Sequence, residues 1–89
     1  MSQMLGMDIQ GVRQLAQQMT QKAQEISQIA STLSTALGSV QWVGQDATNF
    51  RSEWDGSLRT QLQNVVQALE DASNKATTNA NEQEATSAR

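Results

Sequence analysis

Residues 39–54 read SVQWVGQDATNFRSEW, and the fold turns on whether this stretch continues a helix or reverses it. It holds both tryptophans and the single phenylalanine of an 89-residue chain: Trp42, Phe50 and Trp54. Gly44 follows the last apolar residue of the preceding stripe and stands two residues before Asp46. A positive φ there would cost a residue with a side chain more than it costs glycine. Asp46 then suits a helix N-cap, or at least a first-turn anion facing the helix dipole. Gly38 comes too early to end the helix, because the apolar pattern runs through it to Val40. It is read as an interior glycine costing up to about 1 kcal/mol relative to alanine. Residues 42–45 are therefore expected to form a turn.

Upstream of the turn the apolar residues fall in two columns stepping by seven. Ile9, Ala16, Ala23, Ala30 and Leu37 form one, and Val12, Met19, Ile26, Leu33 and Val40 the other. The alternating three-and-four spacing predicts a helix over about 8–41, packed lengthwise against another helix. The central alanines allow a close neighbour. A third column, Leu15, Ile29 and Ala36, is interrupted by Lys22. It widens the apolar arc to roughly 160°, more than one helix–helix seam requires.

Downstream, Ala47, Phe50, Trp54, Leu58, Leu62, Val65, Leu69, Ala72 and Ala76 predict a second helix over about 46–76. Its early steps are four, four and four, so the stripe drifts before settling into heptads. After Ala76 the stripe positions are taken by Asn79 and Gln83, and residues 77–89 are expected to form a flexible tail, as 1–7 are at the other end. The short connection makes the helices antiparallel. The expected fold is all-α, a two-helix hairpin over 8–76.

A lone hairpin buries one seam, and the spare column would leave apolar surface along its length. Two hairpins paired as a four-helix bundle cover both stripes and supply stability that a chain this short otherwise lacks. The residues expected in the core and dimer interface are Leu15, Met19, Ile26, Ile29, Leu33, Phe50, Trp54, Leu58, Leu62, Val65, Val66 and Leu69. Arg51 is odd, lying inside the second stripe. It either snorkels at the bundle end or pairs with a partner carboxylate. Arg51, Asp55 and Arg59 step by four and suit an ion-pair ladder.

Composition narrows the function. Cysteine and histidine are absent, so disulfides and the usual zinc or iron ligand sets cannot be built. The remaining bases sit mostly on expected solvent faces, and the serines and threonines have no partner at a telling spacing. No enzyme and no cofactor is expected. Asp55-Gly56 resembles a fragment of a calcium loop, but the ligand positions around it are wrong. Six basic and nine acidic residues give a net charge of −3 without a basic patch, which disfavours nucleic acid. No run approaches the roughly 18 apolar residues that span a bilayer, so stable membrane insertion is not expected. The start, MSQMLGMD, lacks the features of a Sec or Tat signal. By these rules alone the chain reads as soluble and cytoplasmic.

Trp42-Val43-Gly44 in a mid-chain turn, followed by Ala47, Phe50 and Trp54 and flanked by a helix on either side, resembles the WXG, or ESAT-like, proteins of type VII secretion. The resemblance covers nearly the whole chain. It implies a helical hairpin that pairs antiparallel into a four-helix bundle, as a homodimer or with a paralogue. It also implies leaderless export of the folded dimer by a machine whose motor is an FtsK/SpoIIIE-type ATPase, which replaces the cytoplasmic assignment with a secreted one. Trp42, Val43 and Gly44 would then supply half of a bipartite export signal, the other half being the partner's C-terminal tail. That tail typically carries a tyrosine followed four residues later by an acid, and this chain has no tyrosine. A heterodimer in which a paralogue supplies the tyrosine is favoured, with a homodimer as the alternative.

Two other classes compete: a non-exported hairpin adaptor that forms a homodimer, and a membrane-active amphipathic protein. The second is disfavoured by the scarcity of basic residues on the polar face of the first helix. Read from the residues alone, Trp42 is as well explained by a plug over the hairpin tip as by recognition.

Overall fold

The computed structural model describes residues 6–87. Helix α1 spans Ile9–Ser39, α2 spans Gln45–Glu53 and α3 spans Arg59–Ser87, with one π-helical turn, Trp54–Leu58, joining α2 to α3. Glu53 and Arg59, on either side of that turn, both keep right-handed helical dihedrals. The second half of the chain is thus one continuous helical arm lying antiparallel to α1. The Cα envelope is a rod of 66 × 17 × 15 Å.

Asp8 caps α1 at its start, its Oδ1 accepting the Gly11 N–H at 3.1 Å. A cap of this kind is worth about 1 kcal/mol. At the other end α1 stops at Ser39, slightly before the expected 41, where Val40 turns extended while its N–H still donates to the Ala36 carbonyl at 3.0 Å. Gly44 has φ 123° and ψ 177°, in a region that is essentially closed to residues with a Cβ. It does not close α1, as its place in the sequence suggested, but opens α2. It is the N-cap, and its carbonyl accepts the Thr48 N–H at 3.1 Å. Asp46 accordingly takes the second of its two expected roles, as an anion in the first turn.

The two arms meet along a seam of small residues. Ala16 and Ala23 of α1 are buried, as are Ala47, Ser73 and Ala80 of the second arm. The Ser73 hydroxyl donates to the Ala16 carbonyl at 2.7 Å and lies 2.8 Å from Thr20 Oγ1, so the buried oxygen is satisfied. Towards the turn the seam is closed by Trp54, only 7% exposed, whose indole Nε1 donates to Ser34 Oγ at 2.8 Å.

The drift of the second stripe has its counterpart in the π-helical turn. Each four-residue step from Phe50 to Leu62 overshoots an α-helical turn by about 40°. The Arg59 N–H reaches back five residues to the Trp54 carbonyl. That wider turn takes up part of the accumulated rotation and keeps Trp54 and Leu62 facing α1.

The tail departs from expectation as well. α3 runs on from Ala76 to Ser87, because its contacts with α1 do not need the large apolar residues that the sequence reading looked for. Ala80 is fully buried. Arg13 of α1 donates to both carboxylate oxygens of Glu84, at 2.9 and 3.3 Å, and to Asn81 Oδ1 at 2.9 Å. Residues 1–5 of the expected flexible N-terminus, and 88–89 of the tail, lie outside the described residues.

Two outcomes follow from these geometries. A Cβ at Gly44 would meet nothing within 4 Å, so Gly44→Ala carries a purely conformational cost, of order 1–3 kcal/mol. Thermal unfolding followed by circular dichroism should show a lowered midpoint, and an unchanged midpoint would mean that the turn relaxes to a negative φ. The hydrogen bond from Arg13 holds the Glu84 carboxyl below its ordinary range, and the accompanying charge attraction adds to this. The pair's contribution is therefore complete above the ordinary glutamate range and is lost as pH falls through the lower native value. Arg13, raised by the same bond, stays charged throughout. Amide protection at the end of α3, measured by NMR, should fall on acidification in the parent. The same sensitivity in Glu84→Gln would exclude this pair as the cause.

Candidate functional site

Because the seam is filled by small residues, the bulky ones are displaced to its flanks. Ala23, Ala47 and Ala80 are fully buried, whereas Leu15, Ile29, Leu33, Val40, Phe50 and Val65 are exposed. Along α1, Leu15, Ile29, Leu33 and Ala36 fall within an arc of about 60° at ~100° per residue, and Val40 follows just past the helix end. They form an apolar stripe turned away from the centre of the seam, with a gap between Leu15 and Ile29. Its interruption, Lys22, is held by Glu25 one turn on at 3.3 Å.

The residues expected in one shared interface are thus sorted into three sets. Trp54 lies inside the hairpin. Met19, Ile26, Leu58, Leu62, Val66 and Leu69 are half-buried along the edges of the seam, and Leu15, Ile29, Leu33, Phe50 and Val65 stand open to solvent.

At the turn the same stripe runs into an apolar cleft of about 330 Å³ lined by Leu33, Ala36, Leu37, Val40, Trp42, Phe50 and Trp54. The Trp42 and Phe50 rings are tilted by 51° with centroids 5.7 Å apart, a favourable aromatic arrangement. Trp42 nevertheless remains 40% exposed, and Val43 beside it is 87% exposed. The aromatic residues of the turn therefore divide. Trp54 belongs to the hairpin, Trp42 and Phe50 form one wall of an open cleft, and Val43 projects from the tip.

Within the hairpin, Arg51 turns back onto the backbone that leads out of α1. Its Nη1 donates to the Trp42 carbonyl at 2.9 Å, Nη2 to the Val40 and Leu37 carbonyls at 3.3 Å each, and Nε to Leu37 at 3.4 Å. It is a cap supplied to α1 from α2, placed where a helix end leaves carbonyls without partners and favours positive charge. Its Cζ also lies 6.0 Å from the Trp42 ring centroid, within reach of a cation–π contact. Of the expected ion-pair ladder, the Asp55–Arg59 step forms, at 3.9 Å, while Arg51 is committed to the carbonyls. Sequence reading marked Arg51 as misplaced in an apolar stripe. It did not link that oddity to the lack of any basic residue in the last turn of α1, the signal that pointed to an external cap. The Ser34 acceptor of Trp54 had no such signal.

This geometry presents an elongated apolar face and an exposed aromatic turn, features suited to binding another helical protein. No helix of the described residues is long and apolar enough to cross a membrane. Neither a curated protein nor a solved structure matches the chain significantly. The model of the WXG100 family, described as proteins of 100 residues with WXG, matches residues 4–87. With that match over nearly its whole length, the chain belongs to the WXG100 family of small, non-enzymatic substrates exported by type VII secretion, whose members are known to pair with partners.

Proposed function

We propose that this protein is exported as a folded dimer with a paralogous WXG protein, and that it acts as the partner contributing the Trp42-Val43-Gly44 half of a bipartite signal. The observation that carries the reading is the open apolar stripe of Leu15, Ile29, Leu33 and Val40, continued by Phe50 and Val65 on the second arm. A hairpin whose seam is filled by alanines has no means of covering these residues itself. A second hairpin has the length and shape to do so, and burying one such side chain contributes about 1.5–3 kcal/mol.

The partner is read as the source of the tyrosine-bearing tail. The 89 residues contain no tyrosine, and α3 is packed against α1 as far as Ala80 and Glu84. In this reading the exposed turn, with Val43 at its tip, meets the secretion ATPase of the FtsK/SpoIIIE type while the partner's tail lies alongside. The hairpin's own chemistry is limited to presenting surface.

Co-expression with the paralogue should give a 1:1 complex by native mass spectrometry, and the complex should appear in the culture medium only when the secretion ATPase is present. Leu33→Asp should weaken the complex at least ~10-fold, since ~1.4 kcal/mol is tenfold in affinity. Trp42→Ala should abolish export while leaving the melting temperature of the complex in place; a collapsed complex would make the indole a plug. A stable homodimer exported without any paralogue would overturn the partner reading. A homodimer retained in the cell would favour the adaptor.

A further inference from the structure

We propose that Arg51 is the positioning residue of the turn, fixing the place of the Trp42 indole by clamping the backbone on which it is carried. The inference rests on the reading of the turn as a recognised surface, and it assigns that surface a component outside the Trp-x-Gly string. Residues 40–44 are not helical, and α1 ends without a glycine cap and without a basic residue in its last turn. The backbone from Leu37 to Trp42 is instead gathered by a single guanidinium that spans three carbonyls, those of Leu37, Val40 and Trp42. The same group faces the Trp42 ring at 6.0 Å, while Phe50, the residue before Arg51, packs against that ring. Trp42 is thus held at its carbonyl and contacted at its ring by two consecutive residues of α2.

The planar fork is what allows one side chain to do this. Several N–H groups in fixed directions reach three acceptors and leave a flat cation beside an aromatic ring. A lysine in its place retains the charge but has neither the spread nor the planarity.

The test uses the full-length chain labelled with 5-fluorotryptophan, which gives one fluorine resonance for Trp42 and one for Trp54, assigned with Trp42→Phe. Arg51→Gln and the milder Arg51→Lys should each shift the Trp42 resonance and increase its broadening by a soluble paramagnetic quencher. The Trp54 resonance and the helical circular dichroism should stay as in the parent. An unmoved Trp42 resonance in Arg51→Gln would overturn the proposal. So would a joint shift of both resonances, which would give Arg51 a role in the hairpin as a whole, and so would full retention of the parent signal in Arg51→Lys. Export separates this inference from the reading it rests on. With the Trp42 resonance moved, loss of export in both Arg51→Gln and Trp42→Ala supports the two together. Normal export of both variants would remove the turn's role as a signal and leave the positioning role standing.

Discussion

The structure depends on how closely its two arms approach. Ala16 and Ala23 on one side, with Ala47, Ser73 and Ala80 on the other, leave little between the backbones, and a seam of small side chains draws helices together. Close approach has a geometric consequence: little width is left at the centre for leucine or isoleucine, so these occupy the flanks. The hairpin is a thin rod of 66 × 17 × 15 Å, and among the described residues the bulky apolar side chains are half-buried at best apart from Trp54. Polar contacts accompany the seam along its length. The Ser73 hydroxyl is satisfied by Ala16 and Thr20, Trp54 is tied to Ser34, and Arg13 is forked onto Glu84 and Asn81. These contacts lie at different heights along the rod and hold one register between helices whose alanine faces could slide.

The reversal at the tip is solved in an equally distributed way. No single residue makes the turn. Val40 leaves the helix in an extended conformation, Gly44 supplies the one backbone shape that a Cβ disfavours, and Arg51 returns from the second arm to cover the carbonyls that α1 exposes. The π-helical turn at Trp54–Leu58 belongs to the same arrangement. By widening one turn it rotates the rest of the arm so that Trp54 and the residues of α3 face the same neighbour. The exposed Trp42 and Val43 are thus carried on a framework held from both sides.

Much of this was legible in the residues. The seven-residue columns of helix 1 marked α1 to within about two residues, and Gly44 was correctly singled out as the position needing an unusual φ. The alanines were recognised as the place of closest approach. Packing that relies on small or polar groups was not legible. Asn79 and Gln83 interrupt the stripe and suggest an end near Ala76, whereas the seam moves to Ala80 and is secured by Arg13 and Glu84. Hydrophobic periodicity registers large apolar side chains, and it cannot weigh an alanine or an ion pair formed between residues far apart in the chain. Arg51 escaped for the same reason, since its partners are backbone carbonyls, which no sequence pattern displays.

By itself, then, the sequence determined the two long helices, the reversal between them, and the surplus of apolar residues over what one seam holds, because each is written in local spacing and residue type. The Trp-x-Gly string in its mid-chain position also pointed to the family. Only the tertiary structure decided which apolar residues were enclosed and which were left open, how far α3 continues, and that Trp42 and Phe50 form an open wall while Trp54 closes the seam. Those outcomes follow from the distance between two backbones and from groups that meet across it, and neither exists until the chain has folded back on itself.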